Sequence, residues 1–427
     1  MGGTMKASRI AIHGLCLFTA SLVLTAGAFA QTKFDVKISG DVFFEAGIVQ
    51  QRLNADTQST EFRNRWRLSV MPVAAADNGL TYGARLRVLA ARGDRIASND
   101  YAYLFASGRF GEIRGGDMYA YNDDYYITPP IDYRLIAIQD PATAFLGAAA
   151  GTPSAQRITT ANGRTVVQGA DVASLYGGAT SSLSTPKLTE TATASRLMYI
   201  SPSFAGLTMS VGYVPRTDSF ATDVNRAKFA ATAPLVQTAW RDVVEVAGLY
   251  RGRFGDTVVN AGGGFHAGRS IPNAQATASG YHDLRAWQAG LQVGQGALLF
   301  GATYTDFGKS GQTKAAYVGA AGTPSAVATG TPTRTGDSRV WAVGAQYTTD
   351  PWILGLGYSN GRDPGALTVA GDRKLAMYTL GAAYNVAAGF RIGSEFVHFR
   401  SISDQTTAGL DANDRGNVLL LRSQLIF

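Results

Sequence analysis

The sequence predicts an all-β fold: an antiparallel sheet of about 16 strands, closed as a barrel across a membrane. Three observations predict it. Apolar and polar residues alternate with period two in segment after segment, the segments run to ten residues or more, and the connections between them alternate between tight and long. Composition agrees. Of 427 residues only 16% are charged and 50 are glycine, against roughly 25% and 7% in an average soluble domain. With 14 prolines and 46% apolar residues the chain is neither collagen-like nor disordered.

The N-terminus stands apart from this pattern. Lys6 and Arg9 precede the apolar run from Ala11 to Leu24, and small residues close it at Ala28-Phe29-Ala30. A basic start, an apolar centre and an A-x-A end make residues 1–30 a cleaved export signal, with the barrel over 31–427. The one cysteine, Cys16, lies within this signal, so disulfide frameworks and thiolate metal sites are excluded from the mature chain. Loss of Lys6 and Arg9 takes the net charge from +7 to +5. No other stretch of about 20 apolar residues is suited to a membrane helix.

The first strands show the alternation best. Phe34, Val36, Ile38, Val42, Phe44, Ala46 and Ile48 fall on one face, and Lys33, Asp35, Lys37, Ser39, Asp41 and Glu45 on the other. Next, Phe62, Trp66, Leu68 and Val70 oppose Arg63, Arg65 and Arg67. Then Leu80, Tyr82, Leu86 and Val88 oppose Arg85 and Arg87. Side chains in a strand alternate between faces, so each segment has a lipid side and a polar lumen side. The sixteen expected strands are 33–51, 61–74, 79–92, 99–107, 111–118, 195–202, 206–215, 240–252, 256–269, 280–293, 296–306, 338–349, 351–361, 373–385, 389–403 and 416–427. Strands of about this length cross a bilayer when tilted, whereas sandwich strands usually run five or six residues. Tyr82, Tyr101, Tyr213, Tyr250, Tyr304, Trp341, Tyr347, Trp352 and Tyr358 cluster near segment ends, as aromatic girdles do. The last strand ends on Phe427, read as an assembly signal, and should close the sheet against the first.

Two stretches carry a family resemblance. Phe110-Gly111-Glu112-Ile113-Arg114-Gly115-Gly116 precedes the longest connection, and Arg196-Leu197-Met198-Tyr199-Ile200-Ser201-Pro202-Ser203-Phe204-Ala205-Gly206-Leu207 follows it. Both resemble signature segments of the Gram-negative general porins, especially alphaproteobacterial ones. The resemblance implies a homotrimer in the cell outer membrane, in contact with its lipid, each barrel narrowed by an inward-folded third loop. That loop is 119–194 here, far beyond the roughly 12–15 residues of an ordinary connection. Asp117 stands where many relatives carry arginine, so that constriction arginine is missing.

The expected constriction sets a basic wall of Arg63, Arg65, Arg67, Arg85, Arg87 and Arg114 against loop acids Asp123, Asp124, Asp132 and Asp140. Asp171 and Glu190 are further loop acids, and Tyr119, Tyr121, Tyr125, Tyr126 and Tyr133 make the loop's start tyrosine-rich. Opposed rows of unlike charge create a transverse field that orders water and disfavours apolar solutes. The function expected is passive diffusion of small hydrophilic solutes and ions, with modest anion preference. The alternative is a substrate-specific channel in which loops 119–194 and 307–337 form a saturable site, with a structural or adhesive barrel third.

Enzymatic readings find little support. His266, His282 and His398 lack a spaced nucleophile or acid, and G-x-S-x-G and H-E-x-x-H are absent. No catalytic residue, metal site or cofactor is expected. Gly308-Lys309-Ser310 lacks the first glycine and the strand–helix flanks of a phosphate loop. Nucleic acid is not an expected partner, because aromatics and arginines fall mostly on opposite faces. A plugged importer of about 22 strands would need a longer chain. Ala149-Ala150-Gly151-Thr152-Pro153-Ser154-Ala155 recurs at 320–326, in a loop both times, and reads as low-complexity surface.

Overall fold

A computed structural model describes residues 33–52, 58–90, 98–125, 127–129, 145, 158–161, 164–167, 186–188, 190–191, 193–219, 221–222, 224–228, 239–272, 280–312, 314, 336–364, 371–403 and 413–427. The expected signal 1–30 lies outside these residues.

The strands are β1 Asp35–Gln51, β2 Thr60–Ala75, β3 Thr81–Ala90, β4 Ser98–Gly108, β5 Gly111–Asp117, β6 Ile158–Ala161, β7 Arg164–Val167, β8 Ser195–Ile200 and β9 Leu207–Arg216. They continue as β10 Trp240–Phe254, β11 Thr257–Ser270, β12 Leu284–Gln295, β13 Leu298–Gly308, β14 Ser338–Thr349, β15 Trp352–Asp363, β16 Arg373–Ala387, β17 Phe390–Ser403 and β18 Asp414–Ile426. Sixteen of them form one closed antiparallel barrel. The remaining two, β6 and β7, make a separate hairpin within the long connection, where the sequence predicts only loop. The one described helix, α1, is the single turn Tyr121–Asp124.

Every expected membrane strand is present, with ends shifted by a few residues. Closure joins β1 to β18 in the register Asp41↔Ile426 through Gln51↔Gly416. The amide of Gly40 donates to the Phe427 carbonyl at 2.7 Å, and that of Phe427 returns to the Gly40 carbonyl at 3.0 Å. Closure satisfies the edge amides that hydrocarbon would leave without partners. Tight turns join the strands at one end, and the long connections all leave from the other.

Alternation sorts the side chains as expected. Val36, Ile38, Val42, Phe44 and Ile48 of β1 are exposed outward, while Asp41, Phe43 and Glu45 are buried inside. The outward aromatics form ladders across adjacent strands, Trp341–Tyr358 at 5.2 Å and Tyr358–Tyr378 at 4.7 Å. Tyr101 departs from this scheme. It shares the inward face of β4 with Tyr103 and is 1% exposed, so it belongs to the lumen wall and not to a girdle.

The first signature segment has a steric basis. At Gly111 (φ +107°) a Cβ would lie 2.2 Å from the Ile200 carbonyl oxygen, and at Gly116 (φ +137°) 2.3 Å from that of Ala102. Both positions need a left-handed backbone and leave no room for a side chain, so only glycine fits.

Candidate functional site: the lumen wall and its folded loop

Inward alternation on β2 and β3 brings Arg63, Arg65, Arg67, Arg85 and Arg87 to one stretch of lumen wall, with Arg114 following on β5. Each meets a wall carboxylate or an inward aromatic ring. Asp41 accepts from Arg65 Nη2 at 2.7 Å and Arg67 Nε at 2.6 Å. Glu45 accepts from Arg63 Nε at 2.6 Å and also meets Arg422 of β18. Asp100 takes Arg87 in a bidentate pair at 2.7 and 2.6 Å, and Glu112 pairs with Arg114. Arg85 donates to Ser69 Oγ at 3.2 Å, with its guanidinium 4.7 Å from the Tyr101 ring centre.

The aromatic rings between these arginines were not foreseen. Arg65 and Arg422 lie 4.9 and 4.4 Å from the Phe43 ring centre, and Arg87 lies 4.0 Å from that of Tyr101. Guanidinium groups stack on aromatic faces, which holds them in a fixed row along the wall. The sequence expectation that arginines and aromatics occupy opposite faces therefore fails here. Arg422 was missed as well. It stands between Leu421 and Leu425 in an apolar strand, and alternation alone marked it as inward.

Across the lumen, the third loop is fastened to β10 through β14. Thr303 Oγ1 donates to the Ile127 carbonyl at 2.6 Å and Gln292 Nε2 to that of Thr128 at 2.7 Å. The returning leg is held by Gln288 Nε2 donating to the Pro186 carbonyl at 2.6 Å. Wall glycines make space for the outgoing leg. A Cβ at Gly264 would sit 2.7 Å from Asn122 Cγ, and one at Gly290 2.3 Å from the Ile127 carbonyl oxygen. Phe145, farther along the loop, stacks 5.4 Å from Arg63 on the opposite wall.

A buried polar cluster locks the two legs together. His266 of β11, 0% exposed, has Nε2 at 2.8 Å from Asn122 Oδ1 and Nδ1 at 3.2 Å from Glu190 Oε2. Arg196 grips both oxygens of Glu245 at 2.9 and 2.7 Å, and Thr191 Oγ1 donates to the same carboxylate at 2.6 Å. Asp117 accepts from Ser195 Oγ and from the Ala221 amide at 2.8 Å, which ties the end of β5 to β8 and to the connection after β9.

The loop acids divide. Asp123 pairs with Lys187 of the returning leg, and Asp124 accepts from the Tyr101 hydroxyl. Neither forms an ion pair with a wall arginine among the described residues. Asp132 and Asp140 lie outside the described residues. Burial pushes the Asp124 carboxyl up, against the Tyr101 hydrogen bond and the charges of Arg87, Arg114 and Arg85. Burial likewise lowers Lys187 to about 7, with the charge of Arg87 adding to the effect.

Part of the lumen wall is apolar and buried. Trp240, Leu284, Phe307, Val340, Leu375 and Phe399, all near the long-loop ends of their strands, face inward with 0–1% exposure and pack with Leu188 of the loop. A wholly polar lumen is thus only half of what is found. The loop is seated on an apolar bed beside the charged wall.

A closed barrel with an apolar outer surface, charged residues inside and a loop folded into its lumen defines an outer-membrane channel. The sequence matches the Gram-negative porin family over residues 19–401, and the chain belongs to that family. Among solved structures it is similar to OmpT, an outer membrane protein of Vibrio cholerae, at TM-score 0.52 and 14% identity, covering 94% of this chain and 100% of that one. The trimer form of OmpT gives 0.51 at 14% identity, covering 92% and 99%. A mutant of Rh. blastica porin also gives 0.51 at 14% identity, covering 92% and 100%. At such identity these likenesses bear on the fold alone. No curated protein matches the sequence.

Proposed function

We propose that the lumen is a passive diffusion channel for small hydrophilic solutes and ions, narrowed between the arginine row on β2, β3, β5 and β18 and the loop docked on β10 through β14. The observation carrying this reading is that fixed row of guanidinium groups facing a loop whose described carboxylates, Asp123, Asp124 and Glu190, meet Lys187, Tyr101 and His266. Family membership and fold point to a channel, not an enzyme. The working unit is a homotrimer formed after removal of residues 1–30.

Modest anion preference follows from how the wall charges are shared. Asp41 is shared by Arg65 and Arg67, and Glu45 by Arg63 and Arg422, so at these two contacts guanidinium groups outnumber carboxylates two to one. Glu395 also faces the lumen, from β17, and reduces the surplus. Fixed charge in a narrow, low-dielectric passage concentrates counter-ions within a Debye length of about 8–10 Å. The test is the zero-current potential across a planar bilayer in a KCl gradient. An anion-selective sign that fades as salt rises is expected, and a cation-selective sign in dilute KCl would refute it. Swelling of liposomes in graded sugars tests the diffusion reading. Rates falling smoothly with solute size fit it, whereas saturation by one solute would instead mean a substrate-specific site.

A further inference from the structure

Beneath the docked loop, toward the tight-turn end, the lumen holds a group of side chains that the arginine row does not include. Alternation on β10 turns Glu245, Ala247 and Leu249 inward, and the same face continues through Arg251 to Arg253. Burial changes along that face. Glu245, Ala247 and Leu249 are buried, with Leu249 packed in one cluster with Tyr121 and Ile127 of the loop, whereas Arg251 and Arg253 are exposed. The cover given by the loop therefore ends between Leu249 and Arg251. The amide of Arg251 donates to the Gly206 carbonyl at 2.9 Å, which sets this residue level with the tight turn between β8 and β9.

At this edge the loop presents aromatic surface. Tyr121 of α1 and Tyr125, the residue that caps it, have ring centres 4.8 Å apart. Tyr121 is 8% exposed and shares a hydrogen bond with Thr208, inward on β9, while Tyr125 keeps 37% of its surface open. Arg251 and Arg114 both act electrostatically on Tyr121, so guanidinium groups stand on either side of the tyrosine pair. Arg114 is compensated by Glu112. Arg251 and Arg253 form no side-chain hydrogen bond or ion pair among the described residues, Asp256 of the following turn included. Asn260, the register partner of Arg251 on β11, donates instead to Gln292 at 3.1 Å.

We infer that this edge is a docking subsite for small aromatic carboxylates, the ring stacking on Tyr125 and the carboxylate held by Arg251, with Arg253 at the mouth. Each half has a physical basis. Offset aromatic pairs attract one another beyond the area they bury, and a guanidinium fork matches the two oxygens of a carboxylate. Arg251 and Arg253 keep that capacity, whereas guanidinium groups of the row are already engaged by Asp41, Glu45 and Asp100. Both contacts act beside water at an open mouth, so they hold a solute briefly and release it. The inference rests on the channel reading above and adds one class of solute to it.

Block of the ion current in planar bilayers tests it, with benzoate as the probe and cyclohexanecarboxylate as its non-aromatic match in charge and size. The intact barrel is measured in KCl alone and then with either acid added to both sides. Open-channel steps in KCl alone report that the pore conducts and, for each variant, that it has folded and inserted. Benzoate should reduce the current at a roughly two- to tenfold lower concentration than cyclohexanecarboxylate, the range that one stacked aromatic pair supplies. Tyr125→Leu should remove that difference while both acids still block, and Tyr125→Phe should retain it. Arg251→Gln with Arg253→Gln should raise the blocking concentration of both acids. Equal block by the two acids in the parent, or a difference that survives Tyr125→Leu, would overturn stacking on Tyr125. Block unchanged in the double Gln variant would overturn the carboxylate half of the subsite. Absence of steps in KCl alone, in the parent, would sink the channel reading and this inference with it, whereas conducting pores without the benzoate preference would sink this inference alone.

Discussion

Arg65 and Trp66 are chain neighbours on opposite sides of the barrel wall. The Arg65 side chain is 18% exposed and bonded to Asp41 inside, while Trp66 is 39% exposed on the lipid face. Single cysteines at Arg65 and Arg87, in a chain whose one native cysteine, Cys16, is first replaced by Ser, should react with small water-soluble thiol reagents and reduce conductance, and cysteines at Trp66 and Leu86 should not. Reaction at Trp66 and Leu86 alone would place the register one residue off. Changing Arg65 and Arg87 together to Glu should reverse the zero-current potential in dilute KCl, because it also sets new carboxylates beside Asp41 and Asp100. Which residues face inward was legible in the sequence, since alternation needs only chain order. Which inward residues compensate one another was not. Glu45 and Arg422 are nearly a chain length apart and meet only because β1 and β18 are neighbours. Tyr101 was misplaced for a related reason: an aromatic near a strand end fits a girdle and a lumen wall equally well, and only the register between β3 and β4 decides.

At the scale of elements, the third loop is held by polar contacts that sequence spacing does not reveal. His266 and Asn122 are 144 positions apart, and no local motif joins them. The glycines of β11 gave the available hint, since small inward residues imply a close neighbour. Glu245→Ala would leave the Arg196 guanidinium buried without its carboxylate, at a cost of about 3–5 kcal/mol. Noisier conductance and a lower melting temperature should follow, with the barrel still able to insert. Lys187 makes the loop responsive to pH. Lowered to about 7 by burial and facing Asp123, Tyr119 and Arg87, its ammonium is charged below neutrality and loses its proton above it. Removing a positive charge beside the passage lessens anion preference, so selectivity measured at pH 6 should exceed that at pH 8. Lys187→Gln should flatten that difference, and an unchanged profile in the variant would assign the titration elsewhere.

For the whole molecule, the outer wall carries the oligomer expectation. The wall from strand one through strand five is proposed to be covered by neighbouring barrels, with Phe34, Val36, Phe44, Leu68 and Leu86 as the contact candidates; Leu68 is half-buried and the other four are exposed. Unheated gel samples should run near three times the monomer mass and collapse on boiling. A monomer under gentle extraction would remove the trimer while leaving the barrel intact. The order and number of membrane strands were legible because lipid imposes one rule, apolar outward, on all sixteen. The apolar bed formed by Trp240, Phe307 and Phe399 was not, because inside a lumen the same alternation holds whether water or a loop fills the space. The seam between β1 and β18 has a further consequence, for biogenesis. Neighbours in space at that seam are the most distant strands in sequence, so the first strand emerges from the ribosome long before its partner exists. Until β18 arrives, β1 and β17 would each offer a bare edge, a template for mispairing with any passing strand. Export therefore has to be followed by a period of escort, during which the two future edges are shielded and the chain is neither folded nor lost. A product truncated before β18 would not make a smaller pore; it would make a substrate for proteases.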